Sequence, residues 1–365
     1  MNTFFYPLQK LNGFERAKEC LDTGKTCQVT GCADSQLAHF ITGLSDGYKN
    51  KVIVTFSGTK AKELYEDLKA FDKNVVLYPA KDFIFFSADV HGNVILQQRL
   101  ECIKKLVEDK PCTIVTTADG LMDKIMPLDR IKENVLGISE GSIIEMDAIR
   151  HKLVQMGYEG AEQVESPGQF AIRGSIIDIY TLTDEVPYRI DMWDDEVDII
   201  KSFEVETQRS IENLEKITIY PATDYVLTKE EIRAGIDKIK KDLKKNSEAL
   251  RKQFKTEEAH RLEVIIKEFI DNEEINENGM SFDSYVNYFY DGMVSFIDYL
   301  KDAAFFIDEP KRVDEQMKAV ETEFRDSMSN RLEKGYVLPG QTDIVWSRKT
   351  IESKLDSVKK VLFTS

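Results

Sequence analysis

At 365 residues the chain is too long for one ordinary domain and points to two or three. Hydrophobic residues make up 42% and aromatics 10%, so large cores are possible and global disorder is excluded. A formal charge of −16 argues against the chain as a whole being a nucleic-acid-binding surface, because phosphate contacts demand clustered Lys and Arg.

The five cysteines, Cys20, Cys27, Cys32, Cys102 and Cys112, are odd in number and form no C-x-x-C pair. That pattern reads as buried free thiols in a reducing cytoplasm, not as zinc ligands or disulfides. The four histidines, His39, His91, His151 and His260, lie far apart, so a histidine metal site is not expected. No signal peptide is visible and no apolar run approaches a membrane span, so a cytoplasmic, membrane-free protein is expected.

The first 125 residues alternate short apolar runs with amphipathic stretches. The runs are TCQVTG (26–31), KVIVTF (51–56), NVVLYP (74–79) and CTIVTT (112–117). Between them SQLAHFITGL, TKAKELYEDLKAF and GNVILQQRLECIKKLVE have helical periodicity. Continuous Val/Ile runs alternating with helices predict a buried parallel sheet with helices on both faces. Thr59, ahead of Lys60 and Lys62, and the turn at 91–92 are candidate helix entries.

The stretch QVTGCADSQLAHFITG (28–43) follows the first run, where a phosphate-binding loop would sit. A working loop reads G-x-x-x-x-G-K-[ST]. On that frame the first glycine is Gln28, the second is Ala33, the lysine is Asp34 and the hydroxyl is Ser35, with Gly31 between them. Asp34 puts a carboxylate where the triphosphate should lie. Two like charges about 4 Å apart repel by roughly 4 kcal/mol at an effective dielectric near 20. Eight residues alone favour a plain strand–turn–helix with one glycine.

From Pro127 to about Tyr220 the texture becomes strand-rich and turn-rich, with a turn at 185–187 and a helix near 147–156. It predicts a small, mostly antiparallel subdomain. After Pro221 the chain turns helical, and Thr228 three residues before Glu231 has capping-box spacing. The run AAFFIDE (303–309) is a buried-strand pattern alone among helices. A lone parallel-type strand needs a sheet, and the parallel sheet expected is the N-terminal one. The strand-rich segment is therefore read as an insertion, with the sheet completed by the C-terminal part. An apolar strand ending in Asp308 and Glu309 also has the form of a Walker-B element, whose acids hold Mg²⁺ and position water; Pro310 directly after it departs from that form.

The run GQFAIRGSIIDIYTLTDEVPYRIDMWDDEVDIIKSFEVETQRSIENLEKITIYPA (168–222) resembles the inserted domain shared by the repair helicase UvrB and the transcription-repair coupling factors, the Mfd family. The matching features are R-G-x-I-I-D-I-Y, P-Y-R-I-D-x-x-D-D-E-V-D and F-x-V-E-T-Q-R-S, the last more typical of Mfd. FSGTKAKELYEDL, YPAKDFIFFSADVHGN and IVTTADGLMDKIMP (114–127) sit where Mfd has corresponding segments, and the resemblance runs over roughly residues 1–335.

The resemblance implies an α/β fold: a degenerate P-loop, RecA-like parallel-sheet domain completed by 1A and 1B segments, with an inserted, mostly antiparallel α+β domain 2. The expected segments are 1–125 (domain 1A), 126–220 (domain 2, UvrA-binding), 221–340 (domain 1B, helical plus a sheet-completing strand) and 341–365, a linker helix towards further domains. It implies a relic site of Gln28, Gly31, Ala33, Asp34 and Ser35 with a degenerate Walker B at Asp308 and Glu309. No cofactor and no catalytic or metal site are then expected here, the ATP and Mg²⁺ of the family motor belonging to downstream domains. The region before His91 is too short for UvrB's DNA-clamping hairpin, so Phe83, Phe85 and Phe86 read as packing residues.

In the family, domain 2 recruits UvrA, the damage-recognition ATPase. The matching contact positions are Arg173, Arg189 and Trp193. Arginine offers bidentate bonds to carboxylates, and Arg and Trp are enriched at binding hot spots. Against this, a lone strand arginine usually solvates an exposed face, Asp191, Asp194 and Asp195 could neutralise Arg189 internally, and Trp193 could be core. Asp178 and Tyr180 read as structural support. Other domains of the same protein are further partners, with RNA polymerase and DNA reached only through downstream domains. The competing enzyme reading is a nucleotide-dependent motor fragment using Ser35, Asp308 and Glu309, and Asp34 argues against it. The basic segments 238–245 and 251–255 lack aromatic interleaving and predict weak, salt-sensitive, non-specific DNA binding at most.

Overall fold

A computed structural model describes residues 5–11, 13–81, 91–275, 282–300 and 302–365. The chain divides into two units, one of residues 1–125, 294–327 and 344–365, the other of 126–293 and 328–343.

The first unit opens with α1 (Tyr6–Gln9), α2 (Phe14–Thr23), β1 (Cys27–Thr30), α3 (Asp34–Leu44), β2 (Asn50–Thr55), α4 (Gly58–Lys69), β3 (Val75–Tyr78), α5 (His91–Val107), β4 (Cys112–Thr117) and α6 (Ala118–Met122). The four apolar runs read from the sequence are thus β1 to β4. β4 is buried along its whole length and β2 over its last four residues, as strands covered on both faces must be. Helix α4 is capped two residues earlier than Thr59 suggests: Ser57 is its N-cap, accepting from the Lys60 amide at 3.3 Å. Phe83, Phe85 and Phe86 lie outside the described residues.

The second unit runs through α7 (Leu128–Lys132), β5 (Leu136–Ser139), α8 (Met146–Gln155), β6 (Glu159–Gly160), β7 (Gln169–Arg173), β8 (Ile176–Ile179), β9 (Tyr188–Trp193), β10 (Glu196–Phe203), β11 (Ser210–Leu214), β12 (Lys216–Ile219), α9 (Lys229–Lys252), α10 (Thr256–Ile275) and α11 (Val286–Phe289). Its main sheet has the order β11-β10-β9-β8-β7-β6, antiparallel except for the short β6–β7 pair, and β12 pairs antiparallel with β5. Alternation sorts the faces: Phe170, Ile177, Ile179, Ile190, Val197 and Ile200 are buried on the core side. Thr228 and Glu231 form the expected capping box, with bonds of 3.1 and 2.8 Å.

The chain then returns to the first unit with β13 (Ala304–Asp308), α12 (Pro310–Glu333), whose last residues belong to the second unit, α13 (Arg348–Asp356) and β14 (Lys359–Thr364). The parallel sheet has the order β1-β14-β13-β2-β4-β3. β13 therefore completes the N-terminal sheet, as its isolation among helices predicts. Its Phe305 and Phe306 are fully buried, each stabilising by roughly 1.5–3 kcal/mol.

Two segment expectations differ from the structure. Residues 341–365 are not a linker helix: the helix stops at Asp356, and β14 inserts between β1 and β13, paired parallel to both. Without it Val361 and Phe363, both buried, would be missing and the edge strand β1 would have no partner in the sheet. Nor is 221–340 one segment, since 221–293 and 328–343 belong to the second unit and 294–327 to the first. The reason is visible at the start of α9. Glu231 takes a 2.6 Å ion pair from Arg130 of α7, and the Ala222 amide donates to the Met156 carbonyl at 2.7 Å.

Candidate functional site

The relic loop comes first. Gly31 takes φ +74°, which turns the chain out of β1, and its amide donates to the Thr364 carbonyl at 3.0 Å. That N–H serves the sheet, not a phosphate. Gln28 reaches the same neighbour, its Nε2 donating to Thr364 Oγ1 at 2.9 Å. Ala33 is the N-cap of α3 and supplies no side-chain bond, and Ser35 is the exposed second residue of that helix. Asp34, 77% exposed at its side chain, takes an ion pair from Lys60 of α4 at 3.2 Å.

At the same end of the sheet Asp308 closes β13. It is buried and accepts a 2.8 Å hydrogen bond from Thr55 at the end of β2. Burial pushes its carboxyl above the ordinary value, with Glu309 and Asp34 adding to the rise while Thr55 and Lys60 oppose it. Glu309 sits at φ +52°, a backbone region that only glycine adopts freely, and its carboxylate accepts from the Ser365 amide at 2.6 Å. Burial works against the Lys60 charge, but its bond to Asp34 and the nearby Asp308 and Glu63 hold its pKa above the usual one. One lysine thus stands among Asp34, Glu63 and Asp308, and these four side chains together carry a negative surplus. Among the described residues no group of three or more His, Cys, Asp or Glu is placed to hold a metal ion, and the five cysteines are free thiols, two of them buried.

The second site is the outer face of the inserted sheet. Ala171, Asp178 and Arg189 lie in one cross-strand row on β7, β8 and β9. Asp178 is fully buried, and both arginines converge on it. Arg189 binds it bidentately, Nε to Oδ1 at 2.7 Å and Nη2 to Oδ2 at 2.9 Å. Arg173 donates from Nη2 to Oδ2 at 2.6 Å. Arg189 also donates to Gln208 Oε1 at 2.8 Å and stacks 4.3 Å from the Phe203 ring centroid. The Asp178 bond raises its pKa further.

The internal neutralisation considered from the sequence is therefore real, but its carboxylate is Asp178. Asp191 is taken by Lys201 at 2.6 Å. Gln208 falls within the F-x-V-E-T-Q-R-S segment but does not stand out there as a site residue, since its place depends on a left-handed turn at φ +58°. The two arginines differ in exposure, Arg173 at 43% and Arg189 at 16% of the side chain. Arg173 keeps much of its guanidinium in solvent, whereas Arg189 is mostly structural.

Trp193 ends β9, four residues beyond Arg189 and on the same face, and is 78% exposed. It is not core. The two-residue turn after it puts Asp194 at φ +56°, and Glu196 stands opposite Trp193 across the hairpin. On the far side of Glu196 a bridge places Ile143, 74% exposed. The structure thus brings Arg173, Arg189 and Trp193 onto one face: a clasp with one positive charge in excess, bordered by two uncovered apolar side chains. Ile143 escapes sequence reading because it lies in a loop and reaches this face only through that bridge.

Residues 136–225 match the family model of the UvrB interaction domain, and the motifs at 168–222 fall inside that match. Over 314 residues the chain is 31% identical to the transcription-repair-coupling factor of Bacillus subtilis, covering 85% of this chain and 26% of that protein. It is 30% identical over 318 residues to the transcription-repair-coupling factor of Staphylococcus epidermidis, covering 86% of this chain and 27% of the relative. The chain spans about a quarter of the length of the curated relatives it matches.

Proposed function

We propose that this chain is a non-catalytic docking module that recruits UvrA through the outer face of its inserted sheet, for transcription-coupled nucleotide excision repair. The observation that carries the reading is the Arg173–Asp178–Arg189 clasp beside an exposed tryptophan. A buried carboxylate holds two guanidinium groups in place, so the donors that remain are pre-positioned for an acidic partner. Trp193 adds a large apolar surface of the kind that forms a hot spot when a partner desolvates it. On this reading UvrA offers carboxylates to Arg173 and an apolar recess to Trp193.

The relic loop supports the non-catalytic half of the proposal. A nucleotide there would meet Asp34 and the acids of β13 with Lys60 already engaged. ATP, Mg²⁺ and contacts to RNA polymerase would then belong to the other three quarters of a coupling factor.

The test is a titration of the chain against UvrA of Bacillus subtilis by calorimetry. Micromolar or tighter binding is expected, weakened at least tenfold by Trp193→Ala. Arg189→Ala is a poor probe because it would disturb the fold. Absence of binding at 100 μM, on the order of −5.5 kcal/mol, would sink the reading.

A further inference from the structure

Helix α9 reverses the charge balance of the molecule. The chain has 65 acidic residues against 49 Lys and Arg, yet α9 alone holds nine basic against five acidic side chains. Its buried stripe is Ile236, Ile239 and Leu243. On the opposite face Lys241, Lys244, Lys245 and Lys252 are all exposed and line one shallow, open depression of about 430 Å³. Glu248 is its single acid.

These four lysines differ from their neighbours. Lys238 pairs with Asp291, Arg251 with Glu263 and Lys255 with Glu333. None of the four has an acid within ion-pair distance among the described residues. Lys241 and Lys245 repel each other at i, i+4, and although Asp237 and Glu248 stand four residues before Lys241 and Lys252, neither closes an ion pair with them. The helix dipole accounts at most for Lys252 in the last turn.

We propose that this face of α9 docks the phosphate backbone of duplex DNA. Lys241 and Lys252 are eleven residues apart, which is roughly 16 Å along a helix and about five phosphate steps of one DNA strand. Lysine is a point charge without a bidentate fork, suited to phosphate contact but not to reading base edges. The depression holds one small apolar residue, Ala249, and no aromatic anchor, which disfavours a protein hot spot. The contact is sequence-independent, weak and salt-sensitive, and it is separate from the UvrA reading.

The test uses the full chain and a fluorescein-labelled 20-base-pair duplex, followed by anisotropy between 25 and 200 mM KCl. Four phosphate contacts predict a slope of log K against log salt of about −3.6, with Kd on the order of tens of micromolar at 50 mM. The variant carrying Lys241→Gln, Lys244→Gln, Lys245→Gln and Lys252→Gln should keep its circular dichroism, lose at least tenfold in affinity and flatten the slope. Trp193→Ala should bind DNA like the parent chain. The proposal is overturned if the parent does not bind at 25 mM KCl, or if the folded variant binds equally well. It is also overturned if labelled poly-L-glutamate of equal charge binds more tightly than the duplex, which would assign the face to an acidic protein.

Discussion

The relic loop and the arginine clasp are both small clusters of charge that include one buried carboxylate, Asp308 or Asp178, and they carry opposite signs. At the end of the parallel sheet one lysine, Lys60, answers Asp34, with Asp308 and Glu309 beside it. On the inserted sheet one carboxylate, Asp178, answers two arginines. On the proposed function the first surplus would repel a phosphate and the second would attract a carboxylate. Asp34 would then disfavour a nucleotide at the first site, while a clasp that looks purely structural keeps a charge to spare.

The largest effect expected is on the clasp itself. Asp178→Ala would leave two guanidinium groups facing each other with no carboxylate, one of them largely out of water. Breaking a buried pair in this way costs about 3–5 kcal/mol. Urea unfolding followed by circular dichroism should show that loss. A loss under 1 kcal/mol would mean that water reaches the clasp and that it does not organise the sheet face.

Binding effects come next, and they separate the exposed residues from the structural one. Trp193→Ala should weaken UvrA binding by about 30-fold, near 2 kcal/mol, with stability changed by no more than about 0.5 kcal/mol. Arg173→Ala should cost about fivefold in binding, near 1 kcal/mol, and somewhat more when salt is lowered. If Arg173→Ala exceeded Trp193→Ala, the clasp and not the tryptophan would be the centre of the interface.

The sequence made the parallel sheet legible because buried strands read as short apolar runs, Ile114 and Val115 at the centre of β4 and Ala304, Phe305, Phe306 and Ile307 in β13. β14 was not legible. Its apolar residues follow Lys359 and Lys360, which read as the tail of an exposed helix. In the structure Lys360 is buried, its Nζ held by the Leu355 carbonyl at 2.8 Å and by Asp356 at 2.6 Å. A satisfied buried lysine cannot be told from a solvated one by pattern alone. The clasp was half legible for a similar reason. Arg173 and Arg189 stood out by resemblance, but choosing Asp178 over Asp191 required strand register, which pairs Asp178 with Arg189. Lys60 was hidden because its partner Asp34 lies on a different βα turn.

The smallest effect expected tests the relic site through its protons. Burial raises the Asp308 carboxyl above its ordinary pKa, so the native state binds that proton more tightly than the unfolded chain does. The stability this group contributes is therefore greatest at low pH and is lost as pH rises through its native pKa. Asparagine in the same place carries no charge, and its carbonyl can still accept the Thr55 hydrogen bond. Asp308→Asn should thus be at least as stable as the parent at pH 7.5, with the difference shrinking as the pH falls towards 4 in urea unfolding series. The opposite trend would mean that Lys60 stabilises the Asp308 carboxylate more than burial penalises it. The relic site would then retain a working cation, and its negative surplus, the basis of its contrast with the clasp, would not hold.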